Sequence, residues 1–167
     1  MLRLVIILIY LFACYRWGDW KNWKEYYPTI LYVIIGDISY NFIFYDHTLW
    51  SYVRLVNHTF SDFLVAFTVF PSAIILFLTH YPKKPWKQIS YIILWTVIST
   101  LVEYISVNAG YFSYSGGWSI LWSMGVFFIA FLLTRLHYKH PLVVWPISSI
   151  CALATMFIFK VPISSLK

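Results

Sequence analysis

Six apolar runs follow one another along this chain, at about 2–17, 28–45, 58–79, 89–106, 118–134 and 142–159, with short polar loops between them. Most approach the roughly 17–25 residues that a helix needs to cross the hydrocarbon core of a bilayer. In that core backbone amides and carbonyls find no water, so lipid-facing segments of this kind must be helical. The fold class this dictates is all-α, a polytopic transmembrane helical bundle of six spans forming a single domain over 1–167. The uninterrupted apolar part of the first run, Leu4 to Tyr15, is short for a crossing. Five spans plus a dipping N-terminal helix is therefore the alternative.

Composition points the same way. Hydrophobic residues make up 61% of the chain and charged ones 11%, with a mean hydropathy of +0.73, too little polar surface to coat a soluble globule. The lipid bilayer is the expected partner, and the 22% aromatic content suits belts at its two interfaces. The twelve Lys and Arg are spread over short loops and form no patch for nucleic acid. Their use is orientation, because basic residues stay in the cytoplasm. With the N-terminus outside, Arg16, Lys21, Lys24, Lys83, Lys84, Lys87, Arg135 and Lys139 fall on the inner side, against Arg3, Arg54, Lys160 and Lys167 on the outer. A dipping first helix moves only Arg3. The expected location is the cell (cytoplasmic) membrane, multi-pass, with the basic loops cytoplasmic.

Between the first two runs, about 16–27 reads as an amphipathic helix lying in the inner interface. Trp17, Trp20, Trp23 and Tyr27 share one side at 100° per residue, and Asp19, Lys21, Asn22 and Glu25 the other. Gly18 then supplies a break, Asp19 an N-cap, and Pro28 the first turn of the next helix. Leu11-Phe12-Ala13-Cys14 resembles a lipoprotein cleavage site poorly, and cleavage would strand Arg16, Lys21 and Lys24 outside. The N-terminus is therefore expected to be retained.

The candidate chemistry lies in the acids of the apolar segments. Asp37 sits nine residues beyond Pro28, near the midplane, where an ionised carboxylate costs at least roughly 2.5–3.5 kcal/mol. It must face protein or water, and is expected to be mainly protonated. Gly36 is expected to let a neighbouring helix come close, and Tyr40 and Asn41 to hydrogen-bond Asp37 from one turn further on. Glu103 ends the stripe Thr96, Ser99, Thr100, Glu103 on one helical face. Ser119, Ser123, Ala130 and Thr134, and Ser148, Ala152 and Thr155, make similar faces of small residues. His58 and Asp62 are placed to pair at i and i+4 in the third run.

One reading makes these groups an outward-facing polar pocket for a small ligand, with Asp37 at its floor and Asp62, His58 and Glu103 nearer its mouth. The protein is then a carrier or receptor linked to a proton or cation. The other makes them hydrogen bonds between helices in a structural or accessory subunit that binds another membrane protein. A carrier of this length favours a homodimer. An enzyme is the less favoured class, because no nucleophile elbow, HExxH, Walker, Rossmann or haem-attachment pattern occurs. No catalytic residue, metal site or cofactor is expected; His137, His140 and His80 lack an accompanying carboxylate or thiol.

Ordered motifs add a resemblance. They are Gly18-Asp19-Trp20, Glu25-Tyr26-Tyr27-Pro28-Thr29, Gly36-Asp37, Leu49-Trp50, His58-Thr59 and Phe70-Pro71, then Tyr81-Pro82, Lys87-Gln88, Glu103-Tyr104-Ile105-Ser106, Gly117-Trp118 and Arg135-Leu136-His137-Tyr138-Lys139. In these, from Gly18 to Trp145, the chain resembles an uncharacterised family of small multi-pass membrane proteins from endospore-forming Gram-positive bacteria. The resemblance implies a bacterial cytoplasmic-membrane protein with several helices, and implies no activity or site residue.

Overall fold

A computed structural model describes residues 2–53 and 58–161, with the backbone alone at 52 and 58–62. Among the described residues the fold consists of six long helices: α1 (Leu2–Trp17), α2 (Trp23–Ile43), α3 (His58–Thr79), α4 (Pro85–Asn108), α5 (Ile120–Lys139) and α6 (Pro141–Ile158). A two-stranded antiparallel ribbon joins the loops at one end, pairing β1 (Trp50–Tyr52) with β2 (Phe112–Tyr114), Ser51 opposite Ser113. Three helices, α4, α5 and α6, are long and apolar enough to cross a membrane by length and composition, and Phe63–Thr79 is a shorter apolar helix. Large apolar side chains also point away from the bundle, as at Phe12, Leu121, Leu142 and Phe157. Helices that are apolar on their outer as well as inner faces belong in lipid.

Successive helices run up and down, and contacts between their ends place the loops. At one end Asp19 N–H donates to Thr79 Oγ1 at 3.3 Å, Tyr138 OH donates to Glu25 Oε2 at 3.0 Å, and the Arg135 guanidinium lies over the Tyr81 ring at 4.3 Å. Arg16, Lys21, Lys24, Lys83, Lys84, Lys87, Arg135 and Lys139 all belong to this basic end. The ribbon end holds Arg3 and Lys160 among the described residues; Arg54 and Lys167 lie outside them. The N-terminus of α1 is at the ribbon end and its C-terminus at the basic end, so α1 runs the length of the bundle.

Each end has its own packed cluster. Near the basic end Phe77, fully buried, meets Tyr81, Tyr91, Trp95 and Phe131 with ring centroids 5.0–5.9 Å apart. At the ribbon end Phe44, Leu49, Trp118, Met156 and Val161 pack together. Lipid tails are as apolar as these side chains, so helix association rests on close packing and polar contacts rather than on hydrophobic transfer.

The segment expected as a separate helix at about 16–27 is divided instead. Arg16 and Trp17 complete α1, Trp20–Asn22 is a single 3₁₀ turn, and Trp23 opens α2. Pro28 lies inside α2 rather than at its start. The carbonyl it leaves without an intrahelical donor is that of exposed Lys24, in the first turn of α2. Asp19 makes no side-chain cap; its carboxylate accepts from Asn22 Nδ2 at 2.8 Å and Tyr26 OH at 3.3 Å. Gly18 provides the break, with its N–H on the Cys14 carbonyl at 2.8 Å. Trp17, Trp20, Trp23 and Tyr27 remain exposed.

Candidate functional site

Between α1, α2, α3, α4 and α5, beneath the ribbon, lies a cavity of about 460 Å³. Pockets for small molecules fall in the range of about 300–1,000 Å³. Asp37 from α2 and Glu103 from α4 both line it. Most of the lining is apolar, including Val69 and Phe70 of α3 and Phe127 and Phe131 of α5. The expected polar pocket is thus an apolar chamber with polar groups gathered toward the ribbon. Small residues make room: Ser99, Ser123, Ala130 and Thr134 line the space instead of closing the helices on one another.

Half-buried Asp37 is approached from its own helix by Asn41, whose Nδ2 donates to the Asp37 carbonyl at 3.1 Å and to Oδ2 at 3.5 Å. Tyr40 also lines the cavity, and its hydroxyl serves the loop beyond α2. It donates to the Trp50 carbonyl at 3.1 Å and accepts from the Leu49 and Trp50 N–H groups at 3.0 Å. The Tyr40 and Trp50 rings stack at 3.7 Å, 2° from parallel. Gly36 has a different role from the one its size suggested: no atom lies within 4 Å of where a Cβ would stand. It faces the cavity, and no helix packs on it.

Glu103 is held from the ribbon and from α5. Tyr114 OH donates to Oε1 at 2.5 Å, and Ser123 is close enough to the carboxylate to interact with it. The Trp118 indole in turn donates to Ser123 Oγ at 2.8 Å. Burial, and then the adjoining Glu103 carboxylate, push the Tyr114 phenol well above its ordinary pKa. It stays a donor throughout the neutral range.

Arg3, which sequence reasoning counted only as a loop charge, is a lining residue with only 6% of its surface exposed. Its Nη2 donates to the carbonyls of Val53 at 2.9 Å and Tyr111 at 3.1 Å, tying α1 to both flanks of the ribbon. The sequence carries half of the signal: an arginine at the head of an otherwise apolar run needs acceptors, but nothing in it names the Val53 and Tyr111 carbonyls. His58 and Asp62 fall in the first turns of α3, and their side chains lie outside the described residues.

Toward the basic end Tyr32 lines the cavity. Its hydroxyl shares a 2.6 Å hydrogen bond with Ser148 Oγ of α6, and its ring stacks on His137 at 4.3 Å. Buried His137 also shares a 3.1 Å hydrogen bond with Thr29. His80 Nδ1 meets the Leu76 carbonyl at 3.0 Å. Among the described residues no three His, Cys, Asp or Glu side chains converge as metal ligands would.

No protein-family model, curated protein or solved structure matches this chain. What the cavity can do rests on its own residues: it can enclose a small apolar body and offer carboxylates to one end of it.

Proposed function

We propose that this is a multi-pass protein of the bacterial cytoplasmic membrane, with all six helices crossing the bilayer and the basic end in the cytoplasm. On this reading the cavity takes up a small ligand from the outer side, as a carrier or receptor whose binding is linked to a proton or cation through Asp37. The family resemblance and the basic residues gathered at one end support the location. The functional reading is carried by one observation: Asp37 and Glu103, on different helices, line a common cavity. Carboxylates serving only as helix-to-helix hydrogen bonds need no such space beside them.

The test is access. In a chain with Cys14 and Cys151 replaced, Ser99→Cys places a thiol on the cavity wall below Glu103. A small cationic thiol reagent added outside intact cells should modify it. Failure to react, while Asp46→Cys in the outer loop is modified, would show that no water-filled path reaches the carboxylates, and the reading falls.

A second reading, an accessory subunit for another membrane protein, is favoured by the exposed edge of Trp17, Trp20 and Trp23, each 45–54% exposed. Replacing all three by leucine should then release a partner that co-purifies with the natural chain. An ordinary interfacial anchor would leave the purified composition unchanged.

A further inference from the structure

The helices around the cavity follow one another as α1, α3, α2, α5 and α4: α1 packs on α3, α3 on α2, α2 on α5 and α5 on α4. Among the described residues α1 and α4 are not packed on one another, so the ring is left open along that edge. Above the opening Arg3 of α1 donates to the Tyr111 carbonyl beside β2 at 3.1 Å. Below it Phe77 of α3 meets Trp95 of α4 with ring centroids 5.9 Å apart. Between these two joins Ile6 and Tyr10 of α1 and Ser99 and Val102 of α4 line the cavity. These side chains are only half-buried, whereas Ile92 and Thr96, lower on α4, are buried. Above Thr96, then, the inner face of α4 borders space instead of a neighbouring helix.

From Ser123 to Thr134, both on the wall, α5 rises about 16 Å at 1.5 Å per residue, close to the depth of one leaflet in a hydrocarbon core roughly 30 Å thick. Val69, Phe70, Ala73, Phe127 and Ala130 make the middle of the wall apolar. The outward faces of the two helices beside the opening are apolar as well, with Leu4, Leu8 and Phe12 exposed on α1 and Ile98, Leu101 and Ile105 on α4. Such faces stand among acyl chains, so acyl chains are what the opening meets. We infer that the cavity takes up one acyl chain of a membrane lipid, which enters sideways between α1 and α4 while its head group stays at the interface on the ribbon side. The chain gains the dispersion contacts that an unfilled apolar space forfeits. The inference rests on the reading of the cavity as a ligand site and names its substrate class. It draws nothing from the charge of the groups beneath the ribbon.

The experiment uses the full chain in vesicles of phosphatidylcholine, a small fraction of which carries a photoactivatable diazirine at the middle of one acyl chain. Illumination attaches the chain to the residues beside it, and mass spectrometry of the peptides locates them. Outward-facing Leu121 and Phe157 should be labelled in every case and serve as the reference. Phe70, Ala73, Phe127 and Ala130 on the wall should be labelled too, together with Ile6 and Val102 at the opening. A phospholipid cannot reach these residues through water, so their labelling reports entry from the bilayer. Ala130→Trp and Ala73→Phe, which fill the middle of the cavity, should each lose the label from the remaining wall residues and keep it at Leu121 and Phe157. Gel filtration establishes that each variant is folded, and two filling variants guard against the loss of one.

A short water-soluble diazirine alcohol, added from outside in a parallel sample, separates this inference from the reading it rests on. Walls labelled by the alcohol alone would overturn the acyl chain and its sideways entry and leave the cavity standing as a ligand site. Walls labelled by neither probe would overturn both. Walls labelled by the phospholipid and not by the alcohol uphold the inference and restrict the cavity to ligands from the bilayer. Labelled walls with Ile6 and Val102 unlabelled would overturn entry between α1 and α4, and wall labelling unchanged in both filling variants would place the chain outside the cavity.

Discussion

Tyr114 donates its hydroxyl to Glu103 across 2.5 Å, and this contact joins β2 to α4 where the ribbon roofs the cavity. Arg3 makes the equivalent join from α1, through the carbonyls of Val53 and Tyr111. The roof is therefore fastened to two helices by hydrogen bonds that involve a charged group, the stronger kind.

Removing the first fastening should be measurable. Tyr114→Phe keeps the ring and deletes the donor, so the melting temperature in detergent should fall by the equivalent of about 1–3 kcal/mol. Because burial and the Glu103 carboxylate raise the phenol's pKa, its contribution is complete below the ordinary tyrosine value near 10 and is lost only as pH rises through the higher folded value. The difference between variant and natural chain should therefore stay constant from about pH 6 to 9 and shrink only in stronger alkali. A difference that vanishes within the neutral range would contradict this assignment.

Two glycines should respond in opposite senses to one methyl group. A Cβ at Gly18 would press on the Cys14 carbonyl and stand 3.0 Å from Ile75 Cγ2, so Gly18→Ala should destabilise by roughly 1–3 kcal/mol, the usual cost of overpacking. At Gly36 nothing stands within 4 Å, and alanine is the better helix former by about 1 kcal/mol. Gly36→Ala should therefore melt at or above the temperature of the natural chain. Thermal unfolding of the two variants side by side decides it.

This contrast marks where sequence reasoning reaches its limit. Apolar runs place helices because length and hydropathy are local properties, and α1 and α3 occupy the stretches 2–17 and 58–79 that those properties mark out. The ribbon was not legible. Its strands are three residues each, and the partners Trp50 and Tyr114 lie far apart in the chain with no alternating pattern to announce them. Asn108-Ala109-Gly110 and Gly116-Gly117, stretches of turn-forming residues, flank β2 without naming its partner. Once the ribbon exists, Tyr40 turns to the loop backbone and Arg3 acquires acceptors, which no helical-wheel argument supplies. Asp37 and Glu103 were legible as inward-facing acids because lipid rejects them, but spacing along one helix cannot say whether a cavity or a neighbour lies opposite.

The orientation proposed from the basic residues gives a topology prediction. Single cysteines at Asp46, Lys84, Ser115 and Lys139, all exposed, would be probed in intact cells with an impermeant thiol reagent after replacing Cys14 and Cys151. Positions 46 and 115 should be labelled, and 84 and 139 only after the membrane is opened. The reverse pattern would invert the bundle and place the cavity's charged end in the cytoplasm.

Asp37 separates the ligand-site reading from a purely structural one. Its carboxylate accepts from Asn41, so Asp37→Asn keeps an oxygen for that bond and nearly the same shape, and should melt closer to the natural chain than Asp37→Leu does. Asp37→Leu leaves a polar partner unmatched and should cost about 1–3 kcal/mol. If the carboxylate is only a helix-stabilising group, the Asn variant should leave access to the cavity unchanged, and the Ser99→Cys thiol should react with a cationic and a neutral thiol reagent of one size in the same ratio as before. If Asp37 is the proton or cation site, the Asn variant should fold normally yet lower that ratio, because an amide cannot carry the charge that draws a cation in. An Asn variant that keeps the ratio would remove Asp37 from the mechanism and leave Glu103 to carry it.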